Sequence, residues 1–409
     1  MTPGDDRAEL PEPIAFARPM IDEDEIDAVV EVLRSGWLTT GPKSREFEAA
    51  FAAVTGAEES LALSSGTAAL HLGLVASGVG PGDLVFTTPT TFCSTVHVIE
   101  HVGATPVLVD VEPSTLNIDP AALADAIHSE ARAGQGRPRA VIPVHYAGQP
   151  CDMDAILDLA RSNDLSVVED AAHAFGASYR GREIGTVDAT VRDHSIAFSL
   201  YATKNITTGE GGVLNASSGL LDEARTWSLH GMSRDAWKRY VKGGSWRYDV
   251  LHPGFKYNFT DIQAALGLAQ LGKGKALLAR RTQIAQRYTE AFELLDELQT
   301  PATGPDVVHA WHLYVLRLHE KRLQIGRDDL IDELVDLGIG ISVHFIPLHH
   351  HTYYREKYGW PASDVPVSER EFHRMLSLPI YPRMMDADVE RVVAVVTDVV
   401  QRHARVAGV

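Results

Sequence analysis

"HSIAFSLYATKNITTGEGGVLNA", residues 194–216, holds two apolar runs separated by a turn that carries one lysine. Both runs have the length and composition of strands, whereas the glycine-rich segment between them suits neither a strand nor a helix. Lys204 is therefore predicted to lie at a tight turn between two strands. An amine held there can lose its water, have its pKa lowered and form a Schiff base. The alternatives are an ordinary solvated lysine and a lysine that binds a phosphate.

The segments before this stretch alternate short β-like runs with helical patterns. The β-like runs cover residues 60–64, 84–88, 105–111, 139–146 and 166–170. Such alternation predicts an α/β fold, in which a largely parallel sheet is covered by helices on both faces.

The chain beyond residue 260 follows a different pattern. A long helical pattern leads to two further β-like runs, residues 309–318 and 339–347, and then to a closing helix over residues 386–403. These elements predict a smaller α+β domain. The predicted parts are an N-terminal arm (1–20), a large α/β domain (21–260), and a long connecting helix with a small C-terminal α+β domain (261–409).

Composition narrows the classes of partner. The 409 residues include 55 acidic and 37 basic ones, a formal net charge of −18, which disfavours nucleic acid as the main partner. Cys93 and Cys151 are too few for a disulfide framework or a zinc site of cysteines, so a reducing compartment fits. Without a signal-peptide core or an apolar run of ~18 residues, we expect no membrane span and a cytoplasmic location.

A candidate phosphate site follows the first β-like run. In "SSGTAAL", residues 64–70, Gly66 lets the backbone approach closely, and the next helix offers free N–H groups to an anion. The alternative is an ordinary helix start capped by Ser65 or Thr67. Ser199, five residues before Lys204, could also hold a phosphate.

A candidate ring-binding carboxylate ends another β-like run. In "VVEDAAHAFGA", residues 167–177, Asp170 follows Glu169 at the strand end and can hold a cationic ring nitrogen in its charged form. The alternative is that Asp170 caps a turn and His173 is an ordinary buried histidine. An anion cradle, a carboxylate for a pyridinium and a Schiff-base lysine, in this order, are the parts that pyridoxal 5′-phosphate requires.

Three other motifs do not predict a site. "GWLTTGPKS", residues 36–44, nearly spells a nucleotide P-loop, but Pro42 interrupts its Gly–Lys step. "GVGPGD", residues 78–83, follows a helix and lacks the spacing of a dinucleotide fingerprint. "HHH", residues 349–351, has no cysteine or acidic partner close by, and adjacent side chains rarely face one ion. We therefore predict no metal site.

The sequence resembles the DegT/DnrJ/EryC1/StrS family of sugar aminotransferases, within the fold-type I aminotransferases. The likeness runs from about residue 14 to the C-terminus. The segments that carry it are "SGWLTTGPKSREFE" (35–48), "SSGTAAL" (64–70), "TTPTTFCST" (87–95), "VEDAAHAFGA" (168–177), "FSLYATKNITTGEGG" (198–212), "HGMSRDAWKRY" (230–240), "GFKYNFTDIQAALGLAQL" (254–271) and "SVHFIPLH" (342–349). Residues 230–240 and 254–267 are most similar to those of enzymes that aminate C4 of a nucleotide-linked keto sugar.

The resemblance implies a fold and a set of site residues. The fold is a large domain with a mainly parallel seven-stranded sheet between helices, covered by a smaller C-terminal domain. Lys204 would carry the cofactor and move the proton, with Asp170 on the pyridine nitrogen. The other implied cofactor contacts are Phe92 stacked on the ring, His173 close to it, and Gly66, Thr67 and Ser199 at the phosphate. The implied substrate contacts are Trp37, Thr39 and His344.

The resemblance also implies a homodimer with active sites at the subunit interface. The segment "FKYN", residues 255–258, would reach the partner's cofactor phosphate. Many relatives have Asn where Lys256 stands and Arg where Asn258 stands, so either residue could make that contact.

The implied reaction moves nitrogen from L-glutamate to a nucleotide-linked 4-keto-6-deoxy or 4-keto pentose sugar, releasing 2-oxoglutarate. Some relatives have His in place of the lysine and eliminate water instead, so Lys204 favours amino transfer. The alternatives are amination at C3 or of a cyclitol ketone and, in a different class, a non-catalytic protein of the same fold that binds ligand and regulates.

Overall fold

The structure, a computed structural model, describes residues 12–233, 248–304 and 306–405. Its α-helices in chain order are α1 (Glu23–Ser35), α2 (Pro42–Thr55), α3 (Gly66–Ala76), α4 (Ser94–His101), α5 (Pro120–Ala133), α6 (Met153–Ser162), α7 (Ser218–Ser228), α8 (Asp261–Phe292), α9 (Arg327–Asp336), α10 (Thr352–Lys357), α11 (Pro366–Arg374) and α12 (Asp386–Arg402). Its strands are β1 (Glu59–Leu63), β2 (Asp83–Thr87), β3 (Thr105–Leu108), β4 (Arg137–Ile142), β5 (Ser166–Asp170), β6 (Ser178–Tyr179), β7 (Arg182–Glu183), β8 (His194–Ser199), β9 (Gly212–Ala216), β10 (Leu298–Gln299), β11 (Val307–Val308), β12 (Tyr314–Leu318) and β13 (Met375–Leu378).

Seven strands of the first half build one sheet. Its order is β1-β9-β8-β5-β4-β2-β3, and β9 runs against both of its neighbours. The pairs β2–β3, β2–β4, β4–β5 and β5–β8 are parallel. Parallel strands are covered on both faces, so their residues are buried without alternation, and every residue of β2 and β5 is buried. The predicted α/β fold with a mainly parallel seven-stranded sheet is confirmed.

Helix α1 begins and ends at residues with clear capping chemistry. The Asp22 carboxylate accepts a hydrogen bond from the N–H of Asp24, and Gly36 ends the helix at φ 75°. The helix packs on α8. Its buried residues are Glu25 and Val32, whereas the apolar face that includes Ile26 and Leu33 is exposed in the single chain.

The C-terminal part contains a three-stranded antiparallel sheet in the order β10-β12-β13. Its apolar cluster joins this sheet to α12 through residues such as Leu316, Leu376 and Val396. The strand predicted over residues 339–347 is wrong, because this segment makes isolated bridges at Ile339 and Ser342 and is otherwise a loop. Its apolar side chains are there because the loop packs on the core next to β12.

Helix α8 runs through two apolar clusters. Ala264 and Leu277 belong to the cluster under the seven-stranded sheet, and Tyr288 and Phe292 belong to the C-terminal cluster. The predicted division at residue 260 coincides with the start of α8 and stays a prediction. The described end of the predicted arm is fixed, since Ile14 is buried and its N–H donates to the carbonyl of Gly338 at 2.9 Å.

The parallel strands β2, β4, β5 and β8 present their carboxyl ends at one edge of the sheet. The segments that follow these strands therefore meet there, which is where open α/β sheets bind ligands. No helix among the described residues is long and apolar enough to cross a membrane.

Candidate active site

A cavity of about 520 Å³ lies at this edge of the sheet. Its walls come from the start of α3, the ends of β5 and β8, the turn after β8, and the loop that precedes α10. The predicted site residues that line it are Gly66, Thr67, Phe92, Asp170, His173, Ser199, Lys204 and His344. The structure thus brings eight predicted residues, distant in sequence, to one place.

The turn that carries Lys204 is held by backbone hydrogen bonds. The Lys204 N–H donates to the carbonyl of Tyr201 at 2.9 Å, and the Thr208 N–H donates to the carbonyl of Leu200 at 2.9 Å. Burial lowers the pKa of the Lys204 amine to about 8, and the opposing charge of Asp170 limits that decrease. A large part of the amine is therefore neutral near pH 8, as a group that takes and returns a proton requires.

Asp170 is buried at the end of β5. Thr95 donates its hydroxyl to Asp170 Oδ2 at 2.8 Å, and the N–H of Ala172 donates to Oδ1 at 3.2 Å. Burial raises the pKa of this carboxyl, and the two hydrogen bonds oppose the increase. A carboxylate accepts up to four hydrogen bonds, so Asp170 has capacity for an N–H group inside the cavity.

Glu169 points to the opposite face of the sheet, because successive strand residues alternate. Its carboxylate lies 2.7 Å from Nε2 of His145 and 2.6 Å from Nε2 of His194. Backbone N–H groups donate to the Nδ1 atoms of both histidines, so both Nε2 atoms donate to Glu169. Burial alone would raise the pKa of Glu169, but these hydrogen bonds lower it to about 2. Glu169 is therefore a buried, fully paired anion behind the cavity.

The start of α3 forms a close cradle for an anion. The Ser65 hydroxyl accepts from the N–H of Ala68 at 3.0 Å, so Ser65 caps the helix, as one reading of the sequence has it. The amides of Gly66 and Thr67, the first of the helix, have no acceptor within it. A Cβ added at Gly66 would lie 2.9 Å from Cβ of Ser199, so only glycine permits this approach. Capping and anion binding are compatible here.

Three histidines on the cavity wall are uncharged. His173 and His312 have ring centroids 4.3 Å apart, and His344 Nδ1 lies 2.9 Å from the Ser377 hydroxyl. Burial, reinforced by the charge of Lys204, holds the pKa of His173 well below its usual range and lowers that of His344 to about 4. The Nδ1 atom of His173 is buried and without a hydrogen-bond partner among the described residues. It is thus available to a bound group.

These features fit pyridoxal 5′-phosphate. The free amides beside Gly66 suit its phosphate, the acceptor capacity of Asp170 suits its ring N–H, and the partly neutral amine of Lys204 suits its aldehyde. Phe92 lines the cavity with an exposed ring, which leaves a face on which another ring can stack.

Four predicted residues lie outside the cavity of their own chain: Trp37, Thr39, Lys256 and Asn258. They lie close together. Asn258 Nδ2 donates to the Thr40 hydroxyl at 2.9 Å, Trp37 Nε1 donates to the Thr40 carbonyl at 3.2 Å, and Lys256 hydrogen-bonds to Asn258. The Ser64 N–H donates to the Tyr257 carbonyl at 2.8 Å, which holds this group beside the phosphate cradle. Of the segment 230–240, residues 234–240 lie outside the described residues.

The sequence analysis does not identify four residues that line the cavity: Thr91, Tyr201, His312 and Phe345. It also does not identify Thr95, which is outside the cavity lining and donates its hydroxyl to Asp170. Thr95 is the last residue of "TTPTTFCST" (87–95), which follows one β-like run, and its partner Asp170 ends another. Their positions after two strands of one sheet are the signal that could have paired them. The β-like run predicted over residues 309–318 includes His312, but β12 begins two residues after it, at Tyr314. Buried Arg281 of α8 donates to the carbonyls of Trp311 and His312 and fixes this segment.

The expectation that "HHH", residues 349–351, has no acidic partner close by is wrong. Glu369, distant in sequence, lies 2.9 Å from Nε2 of His349 and 2.6 Å from Nε2 of His350. An acidic partner is therefore present in three dimensions.

Comparison with known proteins places these observations in a family. Residues 19–397 match the DegT/DnrJ/EryC1/StrS aminotransferase family. The chain is 49% identical over 391 residues to the spore coat polysaccharide biosynthesis protein SpsC of Bacillus subtilis, covering 95% of this chain and 97% of that protein.

Solved structures agree in fold. Spr1654 from Streptococcus pneumoniae, in its PMP form, matches with a TM-score of 0.87 at 34% identity, covering 95% of this chain and 99% of that chain. PseC of Helicobacter pylori, an aminotransferase involved in the biosynthesis of pseudoaminic acid, matches with a TM-score of 0.84 at 26% identity, covering 96% of this chain and 100% of that chain. The expected fold-type I aminotransferase fold is confirmed.

Proposed function

The chain belongs to the DegT/DnrJ/EryC1/StrS aminotransferase family, whose cofactor is pyridoxal 5′-phosphate, and from this premise we propose that it transfers nitrogen from L-glutamate to a nucleotide-linked 4-keto sugar. The products are a nucleotide amino sugar and 2-oxoglutarate. One observation carries the proposal: the Lys204 amine and the Asp170 carboxylate face one cavity beside an anion cradle.

A sugar as the acceptor is supported by two relatives and by the cavity. SpsC is a polysaccharide biosynthesis protein, and PseC is involved in the biosynthesis of pseudoaminic acid. Polar side chains such as Tyr201, Glu210 and His344 line the cavity beside apolar ones. A polyhydroxylated ring needs such a mixture, because each buried hydroxyl requires a hydrogen-bond partner.

The residues of the site divide the work. When bound, pyridoxal 5′-phosphate supplies a ring that stabilises negative charge on the carbon that loses a proton. Lys204 is the group that we propose to hold the cofactor covalently and to move that proton between carbons. Asp170 would accept the hydrogen bond of the ring N–H and so keep that nitrogen protonated. The neutral rings of His173 and His344 add no positive charge beside Lys204, which leaves its amine basic enough to return the proton.

A homodimer with shared sites belongs to the same proposal. Lys256 and Asn258 lie near the phosphate cradle but outside the cavity of their own chain, which supports a role in the partner's site. Exposed apolar side chains of α1 and the following turn support an interface there: Ile26 at 46%, Leu33 at 52%, Trp37 at 42% and Leu38 at 46% exposure. The cytoplasmic location stays a prediction.

The function can be tested on the purified holoenzyme in two steps. Adding L-glutamate should convert the absorbance of the bound cofactor from its aldehyde to its amine form and release 2-oxoglutarate. Adding dTDP-, UDP- or GDP-linked 4-keto sugars should then restore the aldehyde form and yield an amino sugar by mass spectrometry. Lys204→Ala should bind the cofactor without supporting either conversion.

Other outcomes distinguish the alternatives. No conversion with any amino acid would overturn the proposal in favour of a binding protein. Restoration by 3-keto sugars or cyclitol ketones, with none by 4-keto sugars, would assign a different acceptor to the same site.

A further inference from the structure

Histidines and a glutamate meet behind the wall of the cavity. His349 and His350 lie in a single 3-10 turn, Leu348–His350, and Glu369 lies on α11. The Nε2 atoms of both histidines face the same carboxylate oxygen, Oε2, at 2.9 and 2.6 Å. One ligand atom from each of the three residues lies within 4.8 Å of the other two.

We propose that His349, His350 and Glu369 form a binding site for a divalent first-row transition-metal ion, with Zn²⁺ as the best fit and water as the fourth ligand. Two imidazoles and one carboxylate are a common ligand set for this ion. Around tetrahedral Zn²⁺ with bonds of about 2.0–2.1 Å, ligand atoms lie about 3.3 Å apart. The histidine nitrogens therefore need to move away from Oε2 by less than about 1 Å.

The groups around this trio suit metal binding. His373, one turn after Glu369 on α11, has its Nε2 3.0 Å from Oε1, which orients the carboxylate and leaves Oε2 for the ion. The buried Nδ1 of His349 has no partner among the described residues and can take the proton that Nε2 must lose.

The absent partner of Nδ1 also limits the affinity. A metal-bound histidine that donates its second N–H to an acceptor binds about 10- to 100-fold more tightly than one that does not. We therefore expect a dissociation constant on the order of micromolar, weaker than that of a structural zinc site.

A metal here would act on the catalytic cavity through a short path. The loop that ends in His349 also carries His344 and Phe345 of the cavity wall. Leu348 N–H donates to the carbonyl of Pro89 at 3.1 Å, and Ser368 on α11 lies 2.7 Å from the Thr90 hydroxyl. An ion would join this loop to α11, so it should stabilise the wall without taking part in the reaction.

The test is a titration of the holoenzyme, produced without a histidine tag and freed of metal by chelation, with Zn²⁺ in a calorimeter. We expect one ion per chain, and about tenfold or greater loss of affinity in His350→Ala and Glu369→Gln. The matched control is His351→Ala, because His351 is the exposed third histidine and is outside the trio. Co²⁺ in place of Zn²⁺ should give the visible absorbance of a four-coordinate site.

Binding is measured without sugar or glutamate, so its failure would be distinct from a failure of the proposed reaction. The absence of saturable Zn²⁺ binding to the folded holoenzyme would overturn the site. Binding that survives unchanged in both His350→Ala and Glu369→Gln would also overturn it. His350 is half-buried, so its variant should fold even if a change at buried His349 does not.

Discussion

The amine of Lys204 lies where burial and one nearby charge act on it in opposite directions. Burial lowers its pKa to about 8, and Asp170 raises it. The nearby rings of His173, His312 and His344 are neutral, so the pKa of Lys204 is set by burial and by the charge of Asp170. A proton carrier needs such a balance, since its neutral and charged forms must both be accessible near the working pH.

Chemical labelling of the cofactor-free protein measures this balance. An amine-reactive reagent should modify Lys204 with a midpoint near pH 8, because only the neutral amine reacts, whereas an ordinary lysine has a pKa of about 10.4. Asp170→Asn removes the charge that raises the pKa, so the midpoint should move to lower pH. Mass spectrometry of the peptides reads both, with exposed Lys321 as the internal reference. A Lys204 midpoint above pH 10 would contradict the burial argument.

Thr95 should tune the cofactor site through Asp170. Thr95→Val keeps the shape of the side chain but removes the 2.8 Å hydrogen bond to the carboxylate. Because this hydrogen bond lowers the pKa of Asp170, its loss should make the carboxyl easier to protonate and less able to hold a protonated ring nitrogen, so cofactor affinity should fall by about threefold to tenfold.

Titration of the cofactor-free variant with pyridoxal 5′-phosphate measures this loss. Thr226→Val is the matched control and should bind normally, because the Thr226 hydroxyl donates to the carbonyl of Asp222 within α7 and is remote from the cavity lining. Equal affinity of both variants would show that Thr95 does not act on the cofactor.

The sequence identifies the residues that contact the cofactor more readily than the residues that hold those residues in place. Lys204 and Asp170 stand out because each follows an apolar β-like run, and Lys204 also comes before a glycine-rich turn. His312 and Thr95 do not, since a histidine before a strand or a threonine in the first turn of a helix has no local pattern that indicates its partner. The pairing of Glu169 with two histidines depends on β5, β8 and the segment that follows β4 meeting in the fold, which no single stretch of sequence shows.

Two helices are joined at their first turns by a single carboxylate. Asp261, the first residue of α8, is buried, and its Oδ1 accepts from Gly41 N–H at 2.8 Å, Ser44 N–H at 2.9 Å and the Ser44 hydroxyl at 2.7 Å. The N–H of Lys43 donates to Oδ2 at 3.1 Å. These amides are the free donors of the α2 N-terminus, where a negative charge is favourable.

Replacing Asp261 should therefore destabilise the packing of α2 on α8. Asp261→Ala leaves four donors without their acceptor and should lower the free energy of unfolding by about 3 kcal/mol. Asp261→Asn keeps one oxygen, so its loss should be smaller, about 1 kcal/mol. Urea unfolding of the cofactor-free protein measures both. Glu31→Ala, at an exposed position of α1, should change the free energy by less than about 0.5 kcal/mol; a similar value for Asp261→Ala would refute the role.

A helix or strand can be predicted from the sequence when its residue pattern fits only one type of structure. The parallel strands follow from apolar runs bounded by turns, and α1 follows from Asp22 and Gly36. The segment 339–347 is also apolar, but there the cause is a loop in which Val343 and Phe345 pack on the core beside β12. Burial without strand pairing gives the same composition, and only the fold distinguishes the two.

Most of the predicted cofactor-binding residues line one cavity of the chain, whereas a second set of predicted residues lies outside that cavity. The predicted residues Trp37, Thr39, Lys256 and Asn258 form this group. Sequence motifs can name such residues, but whether a side chain serves its own chain or a partner is a property of the assembly.

Mixing two inactive variants tests the shared site. Lys204→Ala and the double variant Lys256→Ala/Asn258→Ala should each be inactive or strongly impaired. After unfolding and refolding together in equal amounts, heterodimers with one intact site should recover about a quarter of the wild-type activity, because half of the dimers are mixed. Refolding each variant alone is the control. Activity of the mixture no higher than the sum of the separate samples would favour self-contained sites.

Helix α8 has 32 residues and is about 48 Å long. The first half of α8 packs in one apolar cluster and its second half packs in the other. If either cluster unfolds, α8 loses half of its packing contacts, so the two clusters should unfold together. Calorimetry should therefore record a single endotherm for the cofactor-free chain, with no separate step for the C-terminal third. A hinge motion between the two clusters would have to break α8. Large substrates should therefore enter through movement of surface loops.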